Sequence, residues 1–202
     1  MLYTQTVSEE LLELLKKIMS DNLFLDFNLV GGTSLALQIG HRNSIDIDLF
    51  GNCSIDEEKF LNKIEALGEF EIFKRSKNII ISSICGVKTD FVNYKYSLLD
   101  EPKIIEGIRF VSTRDIAAMK LNAIIGRGSK KDFIDLFFLL NEFSLREMLD
   151  FYQTKYNDGS PFMVVKSLTY FADADIQITP KMFLDFNWET CKQKIIEEVI
   201  KL

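Results

Sequence analysis

The sequence of 202 residues is poor in the residue types that build zinc and disulfide frameworks. It contains one histidine, His41, and three cysteines, Cys53, Cys85 and Cys191, with no C-x-x-C pair. This inventory excludes a zinc site built from His and Cys clusters and a metalloprotease with paired histidines. Glycine (10) and proline (3) are too few for a collagen-like, linker-rich or low-complexity chain, so disorder as the main state is excluded as well.

Disulfides, secretion and membrane insertion are not indicated either. Three widely spaced cysteines make an odd count, which favours reduced and mostly buried thiols. The first residues, MLYTQTVSEELLELL, lack the basic start and long apolar run of a secretory signal, and no stretch approaches the roughly 18 uncharged residues needed to cross a bilayer. We therefore expect a cytoplasmic protein that does not span a membrane.

The charge balance bears on nucleic-acid binding. The chain has 24 basic and 30 acidic side chains, which give a net charge of -6. Non-specific coating of nucleic acid depends on Lys and Arg displacing phosphate counterions, so an acidic chain argues against that function. A local basic groove is still compatible with this composition.

The hydrophobic periodicity changes along the chain. Helix-like stretches at residues 8–20 and 56–67 precede three strand-like runs at residues 69–74, 79–83 and 87–94. From residue 112 onward, helical patterns dominate. We expect an α+β fold with a mixed sheet and flanking helices over residues 1–110, followed by a helical domain over residues 111–202.

Two carboxylates occupy one face of a predicted strand. Residues 44–50 alternate apolar and polar side chains, so Asp46 and Asp48 are expected on one face while Ile45, Ile47 and Leu49 face the other way. Carboxylates that project together repel each other unless a cation lies between them, and Mg²⁺ or Mn²⁺ is the natural occupant. The alternative is an edge strand with a solvated outer face.

A glycine pair precedes these acids in the sequence. Gly31 and Gly32 follow the strand-like run 27–30 and lead into a helical stretch at residues 33–39. Glycines in this position let backbone N–H groups approach phosphate oxygens, and a helix N-terminus favours negative charge. A phosphate cradle beside a metal pair is suited to nucleotidyl transfer. Asp90, in a later strand-like run, could complete a three-carboxylate site or lie on a solvated strand face.

These motifs resemble the AbiEii/AbiGii abortive-infection toxin family, a branch of the nucleotidyltransferase superfamily that includes polymerase β. The likeness lies within residues 29–140, in GGTSLALQIGHRNSIDIDLF, VKTDFVNY and AMKLNAIIGRGSKKDFIDLFFLL. It implies a metal-dependent nucleotidyltransferase-like fold with a helical C-terminal part. Members act as toxins of bacterial toxin–antitoxin pairs, and some add nucleotides to RNA, notably the 3′ end of tRNA.

The resemblance assigns the first motif to metal and phosphate binding. Asp46 and Asp48 would hold Mg²⁺ or Mn²⁺, and Asp90 is the candidate for a third ligand. The residues expected to bind the nucleoside triphosphate in this motif are Gly31, Gly32, Thr33, Arg42 and Ser44.

Further functional residues are implied on the later helices. Lys120 matches a family lysine that assists the nucleotide, and Asp132 matches the last functional acid, with Asp135 as its support. The predicted catalytic set is therefore Asp46, Asp48, Lys120 and Asp132. Any RNA would be held by a local basic patch, which could also contact the triphosphate, near Lys120, Arg127, Lys130 and Lys131.

Each of these later residues also has a structural interpretation. Lys120 could be an exposed helix lysine, the basic residues after it could belong to a solvated loop, and Asp132 could cap the helix that begins there. His41 is expected to be structural, because nothing marks a nucleophile elbow for a Ser-His pair. Most of the 17 phenylalanines are expected in the core, whereas Phe50, Tyr94 and Tyr96 could line a nucleotide pocket.

Three functions are compatible with these motifs. The leading hypothesis is a Mg²⁺-dependent nucleotidyltransferase that moves NMP from an NTP to RNA and acts as a toxin with a cognate antitoxin. The second is an enzyme that modifies a small molecule, such as an antibiotic, at the same metal site, and the acidic net charge favours it. The third is a nucleotide-binding module without turnover.

Overall fold

The computed structural model describes all 202 residues. The chain divides into two compact units. We call Met1–Gly40, Ser44–Ser97 and Pro102–Val111 the sheet unit, and His41–Asn43, Leu98–Glu101 and Ser112–Leu202 the helical unit. The domains predicted at residues 1–110 and 111–202 remain a proposal about which parts fold independently.

A seven-stranded mixed sheet forms the sheet unit. Its strands are β1 (Asn28–Leu29), β2 (Ile47–Gly51), β3 (Phe70–Ser76), β4 (Ile79–Ile84), β5 (Val87–Asn93), β6 (Lys103–Ile105) and β7 (Ile108–Phe110). Their order in space is β3-β4-β5-β2-β1-β7-β6. β2 runs antiparallel to β1 and parallel to β5. The strand that carries the D-x-D motif is therefore the central strand and not an edge strand.

Three α-helices belong to the sheet unit, α1 (Glu9–Met19), α2 (Gly31–Ile39) and α3 (Glu57–Leu67). Ser8 and Asp56 cap α1 and α3, since their side chains accept hydrogen bonds from the backbone N–H groups of Leu11 and Lys59. These helices confirm the sequence prediction, except that α2 begins at Gly31 and so includes the glycine pair. Short 3-10 helices lie at Thr4–Thr6 and Asn22–Phe24.

Aromatic side chains fill the core of the sheet unit. Phe24, Phe60 and Phe91 are 3% exposed or less, as expected for apolar periodic positions. The ring centres of Phe24 lie 4.9 Å from Phe91 and 5.2 Å from Phe60, distances at which aromatic pairs stabilise a core beyond their buried area. The rings thereby pack the buried face of β5 against α3 and the second 3-10 helix.

Arg109, on β7, ties the end of α1 to the sheet. Its three guanidinium nitrogens donate to the backbone carbonyls of Met19, Phe24 and Phe27 at 2.8–2.9 Å. These carbonyls lie at the end of a helix and in the turns after it, where backbone acceptors lack partners within the helix. One side chain thus satisfies three of them.

The helical unit contains α4 (Thr113–Gly126), α5 (Lys130–Leu139), α6 (Leu145–Lys155), α7 (Pro161–Leu168), α8 (Ala172–Asp175) and α9 (Trp188–Ile200). α4 packs against α5, α6 and α7, and α9 packs against α5 and α7. A fully buried ion pair of 2.7 Å joins Lys155 on α6 to Asp115 on α4. No helix combines the length and apolar character required to cross a bilayer.

Two features of the sheet differ from the sequence prediction. β6 and β7 form a hairpin of three-residue strands, too short for apolar alternation to reveal, with Glu106 and Gly107 at positive φ in its turn. The D-x-D strand begins at Ile47, not at residue 44, and the expectation that Ile45 faces the core is wrong because Ile45 is 59% exposed. Asp46 therefore precedes the strand, and Asp48 lies within it.

Candidate active site

The first residue of α2 lies against a carboxylate of the D-x-D motif. Gly31 has φ +68°, and a Cβ built on it would lie 2.7 Å from Asp48 Oδ2. Any other residue would therefore meet both backbone strain and a steric clash. Val30, which precedes the helix, provides no side-chain cap. A glycine here keeps the N-terminus of α2 and the Asp48 carboxylate accessible to each other.

Asp48 and Asp90 are neighbours on adjacent parallel strands. β2 and β5 pair so that Asp48 and Asp90 are register partners, and register partners on one sheet face bring their side chains together. Asp90 Oδ1 is buried and accepts no hydrogen bond. A buried oxygen without a donor is costly unless a ligand or cation satisfies it.

Lys88 balances part of this acidic group. Its Nζ lies 2.6 Å from Asp90 Oδ2. Burial alone would lower the pKa of Lys88, but the hydrogen bond and charge of Asp90, with the charges of Asp48 and Asp46, outweigh burial and raise the pKa. Sequence reasoning missed Lys88, although the alternation of β5 places Lys88 and Asp90 on one face of the strand.

Thr33 and Ser44 hold the segment that leads into β2. Thr33 Oγ1 donates to the backbone carbonyl of Asp46, and Ser44 Oγ lies 2.8 Å from Thr33 Oγ1. The backbone N–H of Ser44 donates to the carbonyl of Thr6 at 2.8 Å. Both hydroxyl side chains are buried, so they support Asp46 through the backbone. Direct phosphate contacts of Thr33 and Ser44 remain predictions.

Asp135 binds three basic side chains inside the helical unit. Its Oδ1 lies 2.8 Å from His41 Nε2 and 2.6 Å from Arg42 Nε, and its Oδ2 accepts from a terminal nitrogen of Arg42 at 2.8 Å and faces Lys120 Nζ. Burial alone would raise the pKa of Asp135, but Arg42, Lys120 and His41 hold it well below its ordinary value. Arg42 thus makes a buried ion pair here, and its predicted phosphate contact remains a prediction.

Asp132 combines a helix cap with ion pairs. Its Oδ2 accepts from the backbone N–H and the hydroxyl of Ser129 at 3.3 and 2.6 Å, which forms a capping box at the start of α5. Lys120 Nζ lies 3.0 Å from its Oδ1, and Arg127 Nε lies 2.8 Å from its Oδ2. Burial opposes ionisation, but these cations lower the pKa of Asp132. The capping interpretation is confirmed, and a catalytic role for Asp132 remains a proposal.

Lys120 lies between the two carboxylates of α5. Its side chain is 5% exposed, so the interpretation as an exposed helix lysine is wrong. Burial alone would lower the pKa of Lys120, but the charges of Asp135 and Asp132 raise it. Lys120 is therefore a permanent cation, which suits a role against triphosphate charge, although a nucleotide would have to compete with both carboxylates.

His41 is a structural residue of the helical unit, as its sequence context indicates. The ring is fully buried, its centre lies 5.0 Å from that of the tilted Phe138 ring, and Nε2 donates to the Asp135 carboxylate. Burial lowers the pKa of His41 more than Asp135 raises it, so the ring is neutral near pH 7. Its Nδ1 is buried without a hydrogen-bond partner.

The basic residues around α5 do not form one continuous patch. Lys130 is 6% exposed, and its Nζ donates to the backbone carbonyls of Asp175 and Gln177. The Arg127 side chain is 69% exposed and borders a cavity of about 460 Å³ in the helical unit. The expectation of a single surface patch is wrong, because Lys120 and Lys130 are buried.

The acids of the sheet unit are suited to a divalent cation. Carboxylate oxygens are the ligands that Mg²⁺ and Mn²⁺ prefer, and the buried Oδ1 of Asp90 lacks a partner. With glycine at position 31, no Cβ of that residue lies against the Asp48 carboxylate. No group of three Asp, Glu, His or Cys side chains has the spacing of a complete metal site. Ligation by Asp46, Asp48 and Asp90 together therefore remains a prediction.

The residues predicted from the sequence fall into two groups. The sheet unit brings together Gly31, Gly32, Thr33, Ser44, Asp46, Asp48 and Asp90. The helical unit brings together Arg42, Lys120, Arg127, Asp132 and its predicted support Asp135, and the structure adds His41 to this network. The first group contains acids beside a glycine helix start, and the second contains a buried network of alternating charge.

Known proteins resemble this chain in sequence. The profile of a family described as nucleotidyl transferase AbiEii toxin, type IV toxin–antitoxin system, matches residues 13–104. An uncharacterised protein of Aquifex aeolicus is 37% identical over 174 residues, which cover 83% of this chain and 84% of the relative.

Solved structures share the fold. JHP933 from Helicobacter pylori has a TM-score of 0.60 at 18% identity, with 96% of this chain and 92% of that chain covered. MenT4, a nucleotidyltransferase toxin from Mycobacterium tuberculosis, has a TM-score of 0.57 at 17% identity, with 94% of this chain and 81% of that chain covered. The mixed sheet with flanking helices is thus a nucleotidyltransferase-like fold. With the profile match and the Aquifex relative, the chain belongs to the AbiEii family of nucleotidyltransferase toxins.

Proposed function

We propose that this nucleotidyltransferase toxin transfers NMP from an NTP to the 3′ end of an RNA, with tRNA as the first candidate, in a reaction that depends on Mg²⁺ or Mn²⁺. The observation that carries the proposal is the pairing of Asp48 with Asp90 in register, directly against the glycine start of α2. Phosphate binding and metal binding then occur side by side.

Asp46, Asp48 and Asp90 are the residues that would hold the ion. A divalent cation bound there would neutralise charge on the triphosphate and on the developing pentavalent phosphate. The backbone N–H groups at Gly31 and Gly32 would bind oxygens of the leaving pyrophosphate, since a helix N-terminus favours negative charge and Val30 provides no side-chain cap.

The reaction joins the NMP part of the NTP to the acceptor and releases pyrophosphate. The hydroxyl oxygen of the acceptor forms a bond to the α-phosphorus of the NTP, the bond from that phosphorus to the bridging oxygen breaks, and pyrophosphate leaves. The hydroxyl proton is lost to water. Lys120 and Arg127 remain proposed contacts of the triphosphate, as fixed positive charges of the helical unit.

The experiment incubates the purified chain with each labelled NTP, Mg²⁺ and total tRNA. Wild type should label RNA, and Asp46→Asn should label it at least about a hundredfold more slowly, since one catalytic charge is removed while shape is kept. Glu65→Gln, an equal change on the exposed face of α3, serves as the matched control and should label RNA at the wild-type rate. Equal labelling by Asp46→Asn and wild type would contradict the assignment.

The remaining functional alternatives are outcomes of the same experiment. Labelling of an aminoglycoside panel in place of tRNA would identify a small-molecule acceptor. Binding of an NTP without pyrophosphate release on any acceptor would identify a module without turnover. Expression of the wild type should also arrest bacterial growth, and Asp46→Ala should remove that arrest if the toxicity comes from this chemistry. Co-expression of a cognate antitoxin should restore growth.

A further inference from the structure

Three aromatic rings form a continuous row in the sheet unit, which we call the aromatic shelf: Phe50, Tyr94 and Tyr96. The ring centres of Phe50 and Tyr94 are 4.8 Å apart, and those of Tyr94 and Tyr96 are 5.4 Å apart. All three side chains are partly exposed, unlike the buried phenylalanines of the core. Lys95 Nζ lies 4.7 Å from the ring centre of Tyr96, which places a positive charge at the end of the row.

The aromatic shelf continues the sheet face that carries the acids. Residues two apart on a strand share a face, so Phe50 follows Asp48 on β2 at a spacing of about 6.6 Å. On the neighbouring strand Asp90 pairs with Asp48, and Val92 pairs with Phe50. Tyr94 extends this pairing, because its N–H donates to the carbonyl of Gly51 at 2.7 Å. The shelf therefore begins one side-chain position beyond the acids.

The glycine start of α2 lies on the other side of the Asp48–Asp90 pair. β1 runs antiparallel to β2 with Asn28 opposite Phe50 and Leu29 opposite Leu49, so the chain passes the level of Phe50 before it reaches Gly31. A Cβ at Gly31 would touch Asp48. Along β2 the order is thus the glycine start of α2, the Asp48–Asp90 pair and the aromatic shelf.

This order matters because phosphoryl transfer places the attacking and leaving oxygens in line on opposite sides of phosphorus. If pyrophosphate leaves toward the glycine start of α2, the attacking hydroxyl must come from the side of the shelf. Resting on the proposed function, we infer that the aromatic shelf stacks the terminal base of the RNA acceptor and so places its 3′ hydroxyl. Stacking accepts any base, and Lys95 is placed to contact the backbone phosphate.

The test measures transfer to two RNA oligonucleotides of equal length, one ending in adenosine and one whose last nucleotide lacks its base. Tyr94→Ala should raise KM for the adenosine-ended RNA about tenfold, the effect expected for one lost stacking contact. It should leave KM for the RNA without a terminal base and KM for the NTP unchanged, because the shelf is assigned to the acceptor base and not, as the sequence suggested, to the NTP. Tyr94→Phe keeps the ring and should restore the affinity for the adenosine-ended RNA.

Two further variants keep the test decisive. Phe50→Leu removes a second ring of the shelf without leaving a large void. It should show the same selectivity between the two RNAs, and it replaces Tyr94→Ala in the test if that variant does not fold. Phe73→Ala removes a 56% exposed ring from β3 and is the control that should change neither KM. The thermal unfolding midpoint of each variant shows that it is folded.

The outcomes separate the shelf from the proposed function. A KM that rises equally for both RNAs, or a rise in KM for the NTP alone, would overturn the role of the shelf while transfer to RNA stands. Absence of transfer to either RNA by the wild type would overturn the proposed acceptor and the shelf with it. Only a rise in KM that requires the terminal base of the RNA supports stacking.

Discussion

Asp48 and Asp90 are register partners on parallel strands, and Asp90 keeps one buried oxygen without a partner while Lys88 takes the other. The acids thus carry a counterion from the chain itself. A divalent cation would share the acids with this ammonium group, and the cation and the ammonium would repel each other.

Removal of the Lys88 charge should therefore tighten metal binding. Two unit charges about 4 Å apart in a solvated setting interact by about 1 kcal/mol, so the double charge of Mn²⁺ makes the repulsion about 2 kcal/mol, and Lys88→Met should lower the Kd for Mn²⁺ about thirtyfold. Calorimetric titration of the whole chain with Mn²⁺ measures this change. Lys77→Met, which removes an exposed charge from the β3–β4 turn, should leave the Kd unchanged. A weaker Kd for Lys88→Met would mean that Lys88 supports the site in another way.

Burial of His41 should make the free energy of unfolding depend on pH. The folded state lowers its pKa below the ordinary value of about 6.5, so between these values the unfolded chain binds a proton that the folded chain does not. Stability should therefore rise with pH through this window and level off above about pH 7, with a slope of at most about 1.4 kcal/mol per pH unit. Urea unfolding between pH 5.5 and 7.5 measures the slope.

The assignment of that slope is direct because His41 is the single histidine. His41→Gln keeps a donor for Asp135 and does not titrate, so its free energy of unfolding should be flat over the same window. An unchanged slope in His41→Gln would show that another group is responsible.

Local motifs of this chain could be predicted from the sequence, and long-range pairings could not. Gly31 and Asp48 were found because a strand, a glycine turn and an alternating strand each leave a local pattern. The central position of β2 came only from the structure, since strand order depends on contacts between distant residues. The alternation of β5 that places Asp90 on one face of the strand could also have predicted Lys88 on that face.

The charge network of the helical unit illustrates the limit. Asp135 lies 93 and 94 residues from Arg42 and His41 in the sequence, and no periodicity connects them. The family resemblance suggested Lys120 and Asp132 separately, but only the structure joins them through a 3.0 Å ion pair. Burial of Lys130 likewise depends on carbonyls from residues 175–177.

Asp135 should be essential for stability of the helical unit. Asp135→Asn removes the charge that compensates buried Arg42 and Lys120, and breaking a buried ion pair on one side costs about 3–5 kcal/mol. Urea unfolding at pH 7 measures the loss. Asp185→Asn, the same change at an exposed position of this unit, should stay within about 0.5 kcal/mol of wild type. A loss below about 1 kcal/mol for Asp135→Asn would contradict the central role of this carboxylate.

Gly31 offers a test that separates backbone strain from site geometry. Gly31 and Gly107 both have positive φ, at +68° and +81°, but a Cβ at Gly31 would lie 2.7 Å from Asp48 Oδ2, whereas nothing lies within 4 Å of one at Gly107. Alanine at either position should cost about 1–2 kcal/mol of stability, because a left-handed backbone is unfavourable for it. Only Gly31→Ala should displace the Asp48 carboxylate and crowd the start of α2. Transfer of NMP should then fall more than about tenfold in Gly31→Ala, the loss expected when an aligned group moves by a fraction of an ångström, and remain at the wild-type rate in Gly107→Ala. Equal rates in two folded variants would show that the contact between Gly31 and Asp48 has no part in the reaction.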